Sequence, residues 1–79
     1  MPKLPRITGK ELIKVLQKEG FEVVRQKGSH AQVRKFVKDE KITFPVPIHT
    51  AKILKQGTLK GILRKADISI NHLNKLLKK

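Results

Sequence analysis

Along the chain, helical spacing of apolar residues gives way to alternation and then returns. Leu12, Ile13 and Leu16 fall on one face at the 3.6-residue period. Thr8 and Glu11 have the spacing of a capping box, and Ile7 and Leu12 that of a hydrophobic staple, so a helix is predicted to start at Thr8. Gly20 stands where such a helix stops. Phe21 to Lys27 reads as a strand, Gly28-Ser29 as a short turn, and His30 to Lys38 as a second strand. Asp39-Glu40-Lys41 turns the chain again, and Ile42, Phe44 and Val46 alternate as a third strand. Pro45 and Pro47 cannot donate ladder hydrogen bonds, which puts this strand's end at a sheet edge. After a loop over 47–57, Thr58 is predicted to cap a second helix with Leu59, Ile62, Leu63 and Ala66 on one side. Gly61 weakens that helix by about 1 kcal/mol. Ser69 caps a third helix bearing Ile70, Leu73, Leu76 and Leu77, with Ile68 and Leu73 again at staple spacing.

The predicted order is helix, three strands, helix, with a short extra C-terminal helix. This is an α+β fold laid out like a double-stranded-RNA-binding domain, in one domain over residues 1–79. Short turns make the strands an antiparallel meander whose apolar face the helices cover. Strand parity points Ala31 and Val33 to that face and His30, Gln32 and Arg34 to the other. Phe36 breaks the pattern, because parity puts it on the polar face; a bulge, or an edge contact with a helix, is expected to accommodate it.

Charge narrows the function classes. Nineteen Lys and Arg against six Asp and Glu give a net +13, a field that attracts polyanions and makes binding salt-sensitive. With 79 residues and 38% hydrophobic content there is no room for a cofactor domain or a deep cleft, so a polymer lying across the surface fits better than a small enclosed substrate. No stretch approaches the ~18 apolar residues of a membrane span, and residues 1–6 show no apolar signal core; a cytoplasmic protein is expected. The absence of cysteine excludes disulfides and thiolate metal sites. With no Trp or Tyr and three Phe, of which Phe21 and Phe44 read as core, base-stacking platforms of the single-strand-binding type are not expected, and binding is expected to rest on phosphates and shape.

Two stretches carry more than composition. One is Gly20-Phe21 followed by Arg25-Gln26-Lys27-Gly28-Ser29-His30. The other runs from Val46-Pro47-Ile48-His49 through Leu54-Lys55-Gln56-Gly57-Thr58-Leu59-Lys60-Gly61-Ile62-Leu63-Arg64-Lys65-Ala66 to Ile68-Ser69. Together they resemble the HicA (YcfA-like) family of toxin ribonucleases. The resemblance implies a double-stranded-RNA-binding-domain-like fold that cleaves mRNA without a metal or other cofactor. It also implies a catalytic histidine at His30 and a HicB-like antitoxin partner that covers the active site. Asp67 stands where the family has a small residue, usually Gly, and Gly61 where a non-glycine helix former is common.

The residues suit that chemistry. RNA carries its own nucleophile, the 2′-hydroxyl beside each phosphate. Cleavage needs a base for its proton, an acid for the leaving oxygen and positive charge for the transition state. A histidine, with an unperturbed pKa of about 6.5, suits proton transfer near neutrality. DNA lacks the 2′-hydroxyl and usually requires metal-activated water, yet the six acids are scattered and Asp39-Glu40 is the one adjacent pair. His30, Gln32 and Arg34 form a candidate RNA-facing row. Arg25 and Lys27 on the neighbouring strand add candidate phosphate contacts, and Gly28 and Ser29 supply the turn where a phosphate can approach. His49, in a proline-bounded loop, is either a second acid–base group, a phosphate contact or a structural residue. His72 reads as a surface or capping residue. Two readings stand against the enzyme: a non-catalytic double-stranded-RNA-binding module using the same basic face, and a small basic protein associated with the ribosome or with DNA. A titrating group at His30 separates them, since binding alone does not need one.

Overall fold

The computed structural model describes residues 3–48 and 52–78. Its elements are α1 (Gly9–Lys18), β1 (Glu22–Lys27), β2 (His30–Val37), β3 (Glu40–Pro47), α2 (Gln56–Ala66) and α3 (Ile70–Leu77), the predicted α+β order. At the start of α1 the capping box forms. Thr8 Oγ1 accepts the Glu11 N–H at 3.2 Å, and Glu11 Oε1 accepts the Thr8 N–H at 2.9 Å.

α1 and α2 end alike. Phe21 N–H donates to the Leu16 carbonyl (3.0 Å) and Gly20 N–H to that of Gln17 (3.1 Å); Ile68 N–H donates to Leu63 (3.0 Å) and Asp67 N–H to Arg64 (3.2 Å). Both are Schellman motifs, which need a left-handed residue in the middle. Gly20 takes φ +97° and Asp67 φ +58°, and the residue that follows each, Phe21 or Ile68, is buried in the core. Asp67 thus holds a backbone conformation that glycine adopts without strain, which accounts for the small residue expected there.

The three strands pair antiparallel in the order β1-β2-β3, so β3 with Pro45 and Pro47 is an edge, as predicted. Ala31, Val33, Phe44 and Val46 point to one face, where they are buried with Leu12, Val15 and Leu16 of α1, Leu59, Ile62 and Leu63 of α2 and Leu73 of α3. The Phe21 and Phe44 rings meet there, their centroids 5.4 Å apart and tilted by 59°. Thr43 Oγ1, on the outer face, donates to the Val33 carbonyl at 3.0 Å.

Four expectations need correction. α2 begins three residues earlier than predicted, at Gln56, with Lys55 as an N-cap that makes no side-chain cap bond; Thr58 lies inside the first turn. The second hairpin turn is Lys38-Asp39, and Glu40 and Lys41 already pair with Val37 and Phe36. The first strand starts at Glu22, because Phe21 is spent closing α1. Phe36 is accommodated neither by a bulge in its own strand nor by a helix: the β2–β3 register is continuous from His30 opposite Pro47 to Val37 opposite Glu40, and the ring stays 62% exposed. The bulge lies in β1, where the register shifts between Val23 and Arg25.

Several segments converge at the end of the sheet where β2 begins. A Cβ on Gly9 would lie 1.8 Å from the Pro47 carbonyl oxygen, so only glycine lets the first turn of α1 press against the end of β3. Ile48 N–H donates to the Ser29 carbonyl at 2.7 Å, and Leu54 N–H to that of Ile7 at 2.9 Å. α3 docks on the far side: its His72 Nε2 lies 2.8 Å from Glu19 Oε1, and Asn74 Nδ2 donates to the Lys3 carbonyl at 3.1 Å.

Candidate nucleic-acid interface

Gly28-Ser29 is a two-residue turn closed by the Lys27–His30 pair. Gly28 has φ +59°, and a Cβ there would meet nothing within 4 Å. Its conformation, rather than a shortage of space, calls for glycine. The turn delivers His30 at the first position of β2, the central strand, with Lys27 on one side and Pro47 on the other. His30 is exposed. Ser29 Oγ lies 3.4 Å from its Nδ1. When that hydroxyl donates, the proton of the neutral ring sits on Nε2, facing away from the turn's own hydroxyl.

Two hollows meet at His30. The first, on the outer face of the sheet, is lined by Arg25, Lys27, His30 and Gln32. Arg25 lies opposite Gln32, and Lys27 opposite His30. Parity and register therefore bring four predicted residues into one basic, open depression. Gln32 Nε2 donates to Thr43 Oγ1 at 2.9 Å, which fixes its amide across to β3. Arg34 continues the row but is engaged within the chain. Its Nη2 is 2.6 Å from Glu22 Oε1, and its guanidinium carbon lies 5.0 Å from the Phe36 ring centroid. Gly28 and Ser29 are in place as the approach to His30 and do not line the depression. His49 lies outside the described residues.

The second hollow runs between the β3 edge and α2. His30, Pro45 and Pro47 form one wall, and Gly57, Thr58, Gly61 and Lys65 the other. The α2 residues were not foreseen as part of a site. Their signal in the sequence is the pair Gly57 and Gly61, four apart and so on one helix face. Neither glycine is needed for packing within the chain, since a Cβ on either would meet nothing within 4 Å. Their bare backbone keeps this cleft wide.

Arg25 and Lys27 make no ion pair among the described residues; the pairs found there are Arg34–Glu22 and, when His72 is protonated, His72–Glu19. Nor do three His, Asp or Glu side chains gather into a metal-ligating group among those residues. A field of unneutralised cations around one imidazole can hold a phosphodiester and move one proton at it. No helix of the described residues is long and apolar enough to cross a membrane.

No curated protein matches the chain. Residues 9–68, from the first residue of α1 to the residue that closes α2, match a family described as HicA toxin of bacterial toxin-antitoxin.

Proposed function

The chain belongs to the HicA toxin family of bacterial toxin–antitoxin systems, and on that premise we propose that it is an endoribonuclease that cuts mRNA with His30, without a metal. The observation that carries this reading is the position of His30 at the junction of two hollows, with Arg25, Lys27 and Gln32 on one and Thr58 and Lys65 on the other. An RNA strand crossing the β3 edge would leave its phosphates among these cations. His30 takes the 2′-hydroxyl proton, the oxygen attacks the adjacent phosphorus, and the 5′-oxygen leaves with a proton. Arg25, Lys27 and Lys65 offset the charge that builds on the phosphoryl oxygens. Ser29 holds the imidazole through Nδ1, and His49 is the candidate for the second proton transfer. Asp and Glu take no part: on the outer face Glu22 is committed to Arg34.

The antitoxin that this family implies is, on this reading, a HicB-like protein whose acidic surface covers His30 in the cytoplasm, with complementary charge speeding the encounter. RNA cleavage by the wild type and by His30→Ala, each with excess chelator, tests the proposal. Cleavage by the wild type and a loss of about 10²- to 10⁴-fold in the variant are expected. Wild-type cleavage abolished by chelator and restored by magnesium overturns the mechanism, and a folded His30→Ala that cuts at the wild-type rate overturns the residue assignment. RNA binding with no cleavage by the wild type would leave the binding-module reading.

A further inference from the structure

We propose that Phe36 is a stacking platform for one unpaired base, and that the protein thereby selects single-stranded segments of its RNA. The inference rests on the ribonuclease reading above and adds to it the structure of the substrate. Phe36 is 62% exposed and follows His30, Gln32 and Arg34 on the same face of β2, whose pairing with β3 is unbroken. The core is filled by the other two phenylalanines, so this ring contributes little to folding. Thr or Lys at this position would pair in the sheet equally well without presenting a bare aromatic face to water.

What surrounds the ring identifies its ligand. The Arg34 guanidinium stands 5.0 Å from the ring centroid, and Lys41 is the cross-strand neighbour. A ring beside Lys41, next to a guanidinium that Glu22 already holds, suits a nucleotide whose base stacks while its phosphate meets the lysine. A patch so charged is poorly suited to an apolar protein surface. The base must be unpaired, since a paired base is already stacked within its duplex. Six residues of strand at about 3.3 Å each separate Phe36 from His30 by roughly 20 Å. The stacked base therefore lies a few nucleotides from the phosphate at His30, and the ring sets register along the strand. Because every base has a π face, this selects for single-strandedness and not for sequence.

The test uses the full chain and a labelled 2′-O-methyl oligonucleotide, which lacks the attacking hydroxyl and stays intact. It is offered single-stranded and as a duplex, with affinity read by anisotropy. Phe36→Ala is expected to weaken single-strand binding by about 5- to 150-fold and to leave duplex binding unchanged. The chain contains no Trp, so Phe36→Trp introduces a single indole, whose emission is expected to be quenched by the single strand and not by the duplex. Unchanged single-strand affinity in Phe36→Ala, or equal quenching by both forms, overturns the proposal. So does a Phe36→Ala variant that binds RNA as the wild type does but self-associates less, which would make the ring a protein contact. RNA binding and cleavage by the wild type are measured alongside: their absence sinks the ribonuclease reading itself, whereas their presence with an indifferent Phe36 sinks only this inference.

Discussion

Substitutions at Gly61 should separate stability from activity. Gly61 lies within α2, is exposed, and borders the cleft that His30 shares with Lys65. A Cβ there meets nothing within 4 Å, so Gly61→Ala has no steric cost and gains the helix-propensity difference of about 1 kcal/mol. For a chain of this size that corresponds to a rise of about 4–8 °C in melting temperature. Gly61→Glu gains nearly as much propensity but points a carboxylate into the cleft. Against a phosphate about 4 Å away, the repulsion ranges from about 1 kcal/mol in water to about 4 at a protein surface. The cleft is open, so the lower end applies, equivalent to about a fivefold fall in kcat/KM. Thermal melts followed by circular dichroism and RNA cleavage under single-turnover conditions read the two effects separately. Both variants should melt higher than the wild type, with Gly61→Glu cutting more slowly. A Gly61→Glu protein that is stabilised and fully active would show that RNA does not enter the α2 side. A Gly61→Ala protein that melts lower would refute the account of α2 itself.

His30→Ala should stay folded and bind RNA while losing cleavage. His49→Ala, assayed in parallel, should lose part of it if the two imidazoles divide the base and acid roles; a folded His49→Ala with full activity removes His49 from the second proton transfer and leaves His30 as the base. RNA affinity should fall steeply with salt, with a log–log slope near the number of phosphates contacted, and a flat dependence would remove the basic face from the docking surface. Asp67→Gly should stabilise the fold by about 0.5–1 kcal/mol, since it relieves a left-handed non-glycine residue and removes a negative charge at a helix C-terminus; a melt that is unchanged or lower than wild type contradicts the reading of the α2 Schellman turn.

The elements legible from the sequence are those specified by local chemistry. Thr8, Glu11 and Gly20 define α1 through its own caps, Ser69 starts α3 in the same way, with His72 N–H donating to its Oγ at 3.1 Å, and alternation fixed which side of β2 is buried. What stayed hidden depends on residues distant in sequence. The start of α2 is hidden because Thr58 is a good capping residue that is not used as one; Ile53 and Leu54 are tied back to Thr8 and Ile7, and the helix begins as soon as that tether ends. Parity had assembled Arg25, Lys27, Gln32 and Arg34 beside His30, but it could not show that Glu22 engages Arg34 across a bulged strand. Nor could it show that α2 supplies a second wall.

Phe36 is the residue on which these threads meet. By parity it is an anomaly on a polar face, for which a bulge or an edge contact with a helix is the expected remedy. The structure instead keeps β2 regular and leaves the ring largely in solvent, with the Arg34 guanidinium 5.0 Å from its centroid and no core contact to account for its identity. Anomalies of this sort are expected where local rules yield to function. A double-stranded-RNA-binding module has no use for an exposed ring, because duplex RNA is read by shape and by contacts to phosphates and 2′-hydroxyls. A nuclease that must position a flexible strand does have one: a stacked base fixes the strand at one end of β2 while the scissile phosphate rests at the other, against His30. On the proposed reading, the element order of a duplex binder and the surface of a single-strand binder coexist in one protein, and the substrate preference follows from the surface.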